Sequence, residues 1–156
     1  MTAAQITFLA GLALVLVVVA AFGAVVLRQA RTNGTGLRSP RDHANGGRAA
    51  FYAHRLTGLG IFAFLCLHIL DVGLGSASPR LYDDVQRLYG TPALRVFECG
   101  LLFAVLFHTG NGIRLIAFDV FGLAPAWSRR ALVAVALATL VVGAAGSGFI
   151  LGPVVR

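Results

Sequence analysis

Four long apolar runs, at residues 5–27, 52–75, 93–118 and 131–152, are separated by polar stretches and set the frame of the chain. Each has about the 20 mostly apolar residues that a helix needs to cross the hydrocarbon layer. The first run has no polar interruption and predicts a lipid-facing anchor that takes no part in chemistry. No positive residue precedes it, so it predicts a retained helix entering from the outside, not a secretory signal peptide. Residues 29–50 mix Arg with Asn-Gly, Thr-Gly, Ser-Pro and Gly-Gly and predict a solvated linker. Residues 76–89 predict a short outer connection, an interfacial helix or loop, with Tyr82, Arg87 and Tyr89 at the level of the headgroups. Pro92 suits the first turn of the third span, and Gly143, Gly146 and Gly148 in the fourth permit close helix contact. The expected fold is an all-α integral membrane protein. A three-helix transmembrane core at 51–156 follows an extra N-terminal transmembrane helix at 1–28 and the linker at 29–50.

Composition agrees: 58% of the 156 residues are hydrophobic and 12% are charged, against about a quarter charged in soluble domains. The spans leave no room for a soluble catalytic domain. All 13 basic residues are Arg, and the net charge is +7. Their positions decide what that charge means. Arg28, Arg31, Arg38, Arg41 and Arg48 follow the first span, and Arg114, Arg129 and Arg130 flank the connection between the third and fourth. By the positive-inside rule these connections are cytoplasmic and both termini lie outside. The charge is therefore a topology signal, suited to anionic headgroups, and nucleic acid is not an expected partner. Cys66 and Cys99 have no paired spacing and predict buried small hydrophobes.

His108 is the candidate centre of chemistry, because an ionisable side chain inside a span is costly without a partner. Gly112, at i+4, leaves the same helix face bare, with space for a large flat ligand. A porphyrin between helices needs a nitrogen donor and such a space. His108 is then either a haem ligand or a buried histidine bonded to a backbone carbonyl. On the second span His54, Thr57 and Gly58 share one face. His68 lies fourteen residues beyond His54, within roughly 40° of its direction and roughly 21 Å deeper, so both are expected to look toward the same neighbouring helix. His68 and His108 differ in depth by roughly 11 Å, too far to share one iron, so each needs its second ligand from another subunit. Asp71 is expected either to orient His68 or to face water. Arg95 and Glu98 predict an i to i+3 pair, and His43 a solvated histidine.

The runs His54-Arg55-Leu56-Thr57-Gly58 and His108 through Gly112-Ile113-Arg114 to Asp119 resemble the cytochrome b membrane anchor of succinate dehydrogenase, over about two thirds of the chain. The resemblance implies that His108 is an axial ligand of haem b, with the opposing histidine supplied by a second membrane-anchor subunit. It implies that His54, Arg55 and Arg114 contact haem propionates or nearby polar groups. Arg55, Thr57 and Phe51 become quinone-site candidates, for menaquinone or ubiquinone. Phe51 stands where the family often has Ser, and Leu115 where it has His or Phe. His68 resembles the ligand of a second haem in relatives that hold two, so one or two haems are implied. The further implied partners are a flavoprotein subunit, an iron-sulfur subunit and the lipid of the cell inner membrane. The alternatives are the cytochrome b anchor of another respiratory dehydrogenase and a haem-free structural anchor.

Overall fold

The structure, a computed structural model, describes residues 3–33, 45–122 and 127–155. Five helices follow in order: α1 (Ala3–Asn33), α2 (Asn45–Ala77), α3 (Pro79–Tyr89), α4 (Pro92–Phe121) and α5 (Ser128–Val155). Among the described residues, α1, α2, α4 and α5 are long and apolar enough to cross a membrane. Each outruns the apolar stretch that predicts it, because a helix satisfies its backbone internally whether lipid or water surrounds it. Residues 29–33 and 45–50, expected in the linker, are helical; Arg38, Arg41 and His43 lie outside the described residues. Pro92 sits in the first turn of α4, where its missing N–H leaves no bond unmade, and Gly122, at φ 62°, caps the other end in the left-handed region.

The spans pack as a row, α1 on α2, α2 on α4 and α4 on α5, with α3 against α2 and the start of α4. Neighbours run antiparallel: Gln29 meets Tyr52 and Arg55 while Gly11 meets Leu70, and Gly110 meets Val135 while Gly146 meets Leu102. The glycines act as expected on two counts: a β-carbon on Gly143 would collide with the Phe103 ring, and one on Gly146 would lie 2.6 Å from Leu102 Cδ2. Gly148 faces open space. Large apolar side chains such as Val17, Val141 and Phe149 point outward, while among the described residues the buried polar ones are Asp71, Asn111 and Thr139. Lipid tails solvate Leu and Val as well as a protein core does, so interhelical contacts are left to small and polar groups.

Several expectations are corrected. α1 is not only a lipid-facing anchor, since Val26 is fully buried and Val18 and Phe22 line a cavity with α2 and α4. His68 does not share the neighbour of His54: it is exposed, with its ring stacked on Phe64 at 5.8 Å, whereas His54 lies on α4. The angular offset between the two, carried over fourteen residues, is enough to take His68 off the narrow contact between two helices. Asp71 neither orients His68 nor faces water. It is 3% exposed and accepts from Gln86 Nε2 of α3 at 3.1 Å. Burial, and then the Asp71 carboxylate nearby, raise the Tyr89 phenol above its ordinary range. Arg95 donates to the Ile150 carbonyl of α5 at 3.3 Å instead of pairing with Glu98, because α5 lies within reach of its long side chain. The expected outer connection is the helix α3, with Arg87 and Asp84 3.7 Å apart on its exposed face. Cys66 and Cys99 are free and half-buried.

Candidate functional site

Where α2 crosses α4, two imidazoles stack face to face, His54 on His108, with ring centroids 3.9 Å apart and planes 4° from parallel. The sequence makes this contact through two copies of one spacing, His54-x3-Gly58 on α2 and His108-x3-Gly112 on α4. Because the helices are antiparallel, each histidine lies over the other helix's glycine. A β-carbon on Gly58 would lie 2.7 Å from His108 Cε1, and one on Gly112 would lie 3.5 Å from His54 Cε1. The bare face at Gly112 thus receives the His54 ring and not a flat ligand, which corrects the expectation for that glycine. The glycine that makes room for His108 is Gly58.

The hydrogen bonds of His108 fix its chemistry. Its Nδ1 lies 3.0 Å from the His54 carbonyl oxygen, and because a carbonyl can only accept, Nδ1 carries the proton. The lone pair is therefore on Nε2. Thr57 stands behind this contact, its Oγ1 donating to the Ala53 carbonyl at 2.8 Å and lying 3.4 Å from His108 Nδ1. Its hydroxyl thus supports the imidazole. His54 Nδ1 is buried and has no hydrogen-bond partner.

Beside the stacked rings opens a cavity of about 430 Å³, lined by Val18 and Phe22 of α1, His54, Arg55, Gly58, Leu59 and Phe62 of α2, and His108 of α4. That is within the usual range for small-molecule sites, which are mostly apolar with a few placed polar groups. Arg55 supplies donors, its guanidinium held by Gln29 Oε1 at 2.9 Å and lying 5.2 Å from the Phe51 ring centroid and 5.9 Å from that of Phe22. Phe51 is itself 51% exposed.

Of the residues singled out by sequence, His54, Arg55, Thr57 and His108 come together, with Phe51 against Arg55. His68 and Arg114 do not join them. Arg114 ties α4 to the start of α5, donating to Asn111 Oδ1 at 2.9 Å, to the Ser128 carbonyl at 3.2 Å and to Ser128 Oγ. Gln29, Gly58 and Asn111 were not marked for these roles. Gln29 is a polar residue at the end of a long apolar run, which is the signal that could have found it. Asn111, 1% exposed, lies one turn beyond His108 on the same span, where a buried amide needs a partner.

Residues 35–145 match the family described as succinate dehydrogenase/fumarate reductase transmembrane subunit. Over 105 residues the chain is 40% identical to the succinate dehydrogenase 2 membrane subunit SdhC of Mycobacterium tuberculosis, covering 66% of this chain and 77% of that one. Over 75 residues it is 31% identical to the succinate dehydrogenase hydrophobic membrane anchor subunit of Halobacterium salinarum, covering 47% of this chain and 58% of that one. With four apolar helices and the His-Arg-x-Thr and His-x3-Gly-x-Arg runs packed together at one helix crossing, the chain belongs to the succinate dehydrogenase/fumarate reductase transmembrane-subunit family.

Proposed function

We propose that the chain is the cytochrome b membrane anchor of a succinate:quinone oxidoreductase, with His108 as an axial ligand of haem b through Nε2 and the cavity at Arg55 as its share of the quinone site. The observation that carries this reading is the Nδ1–H bond of His108 to the His54 carbonyl. Metal-binding histidines donate their second nitrogen to such a group, which fixes the tautomer and makes the free nitrogen a better donor. The residues fit haem in three further respects. Haem would bring most of its iron's ligands with it, so one imidazole from this chain, His108 on the cavity wall, would suffice. Gly58 makes room for the His108 ring itself, so the imidazole can lie at the helix crossing on the cavity wall. The buried, unpartnered Nδ1 of His54 is a polar atom ready for a group brought by a ligand or a second subunit.

Haem, when bound, supplies one-electron transfer close to the quinone. The chain's own residues bind and orient. Arg55 offers guanidinium N–H groups to a propionate or a quinone oxygen, and its fixed charge suits either. Phe22, Leu59 and Phe62 give the cavity apolar walls for a ring. Thr57 and the His54 carbonyl hold the His108 imidazole at its angle. Arg114 acts on the fold and not on the ligand. The partners in this reading are a flavoprotein, an iron-sulfur subunit docking on the cytoplasmic side near the linker, and a second anchor giving the opposing histidine. Both termini lie on the outer side of the inner membrane. His68, exposed on the surface of the row, is the candidate ligand of a second haem completed by the partner.

The pyridine haemochrome content of the purified complex tests this assignment. His108→Ala is expected to remove one haem per complex while succinate oxidation with a soluble dye persists. A second haem lost only with His68→Ala would assign that residue, and an unchanged haem content in both variants would remove haem from the chain.

A further inference from the structure

The family match begins at residue 35, after α1, yet α1 reaches into the site. Gly11 lets it approach α2 closely, since a β-carbon there would lie 2.9 Å from Leu70 Cδ2, and Gly23 lies against Leu59 with room for an ordinary contact. The helix is also fixed in register at its end, where the Tyr52 hydroxyl donates to the Gln29 carbonyl at 3.2 Å. Tyr52 is buried and Val26, one turn before Gln29, is fully buried, so this contact is a packed joint. The helix places two side chains against Arg55, which lines the cavity. Gln29 Oε1 accepts from Arg55 Nη1 at 2.9 Å, and the Phe22 ring faces the same guanidinium across from Phe51.

We propose that α1 is the third wall of the quinone cavity and that Gln29 is a positioning residue, holding the Arg55 guanidinium so that its remaining N–H groups point into the space that Val18 and Phe22 close off. This rests on the quinone-site reading given above. A neutral amide suits the task. It takes up one donor of a five-donor group without cancelling the charge, so Arg55 keeps its attraction for a quinone oxygen while losing the rotamer freedom of a long side chain. Without the bond, each binding event must order Arg55 first, and affinity falls by that cost.

The test uses the complete complex with all its subunits, assayed for succinate oxidation with a soluble dye and, separately, with a short-chain benzoquinone and a short-chain naphthoquinone. Gln29→Met keeps the length and apolar contacts but removes the acceptor. It is expected to raise the quinone KM on the order of tenfold, the scale of a hydrogen bond to a charged group, with dye-linked turnover unchanged. Gln29→Glu, which keeps an acceptor at the same reach but offsets the charge of Arg55, is expected to recover only part of that loss. Arg55→Ala is expected to raise KM at least as far as Gln29→Met. If Arg55→Ala raises KM and Gln29→Met does not, the role of α1 is overturned and the quinone site stands. If Arg55→Ala leaves KM unchanged with both quinones, the quinone-site reading itself fails. Dye-linked and quinone-linked turnover falling together in Gln29→Met would show a helix joint only, and would also overturn the proposal.

Discussion

Gly58→Ala is expected to cost the assembled complex most of its haem, although the substitution adds one methyl group and improves the helix. In a helix interior Ala is about 1 kcal/mol more favourable than Gly, so α2 gains locally. The new β-carbon would start 2.7 Å from His108 Cε1 and 3.2 Å from Nδ1. The imidazole cannot yield freely, because one of its faces is covered by His54 at 3.9 Å and its Nδ1 is bonded to the His54 carbonyl. It must withdraw by several tenths of an ångström, and either that bond or the direction of Nε2 is lost. Loss of the partner that orients a metal-binding histidine lowers metal affinity about 10- to 100-fold. Gly112→Ala provides the contrast. There the β-carbon would lie 3.5 Å from His54 Cε1, an ordinary contact, and haem content should stay at its normal level. Haem-to-protein ratios of the two purified complexes check the pair; equal ratios would mean that His108 is not held in the way described.

Arg114→Ala is expected to act on stability and not on the ligand. The guanidinium makes hydrogen bonds to Asn111 and to two atoms of Ser128, closing the corner between α4 and α5. Removing it leaves the amide oxygen of Asn111, a residue only 1% exposed, without its donor. A loss of about 2–3 kcal/mol is expected from the stranded amide and the broken bonds, seen as a lower melting temperature and a smaller yield of complex. Arg114→Lys should recover little of it, because an ammonium cannot reproduce the planar fork that reaches both residues. Haem per assembled complex should be unchanged in both variants. A haem content that falls while the melting temperature holds would return Arg114 to the propionates.

How far the sequence spoke depended on how local each signal was. The four spans were legible because a run of some twenty apolar residues has few other uses. The helix ends were not, since Arg28, Arg31 and Arg48 continue helices beyond the apolar core and hydropathy falls there before the helix stops. The two histidine runs were legible as belonging to one site, and the structure stacks His54 on His108. Which glycine serves which histidine was not, because i to i+4 spacing describes one helix and the answer lies on the antiparallel neighbour. His68 illustrates the same limit: a modest angular offset decides whether a side chain meets a partner helix or faces outward. Asp71 and Gln29 were opaque for a related reason. Their partners, Gln86 and Arg55, lie on other helices, and a hydrogen bond between helices leaves no period in the sequence.

The most direct test of the central claim, that His108 Nε2 holds haem iron, is the reduced-minus-oxidised absorption spectrum of the purified complex carrying His108→Gly, recorded with and without added imidazole. The cytochrome b band is expected to be lost in the variant and to return when free imidazole and haem are supplied together, because the cavity left by the side chain accepts the same ring. A band that persists in His108→Gly without imidazole, at the intensity of the unaltered complex, would contradict it.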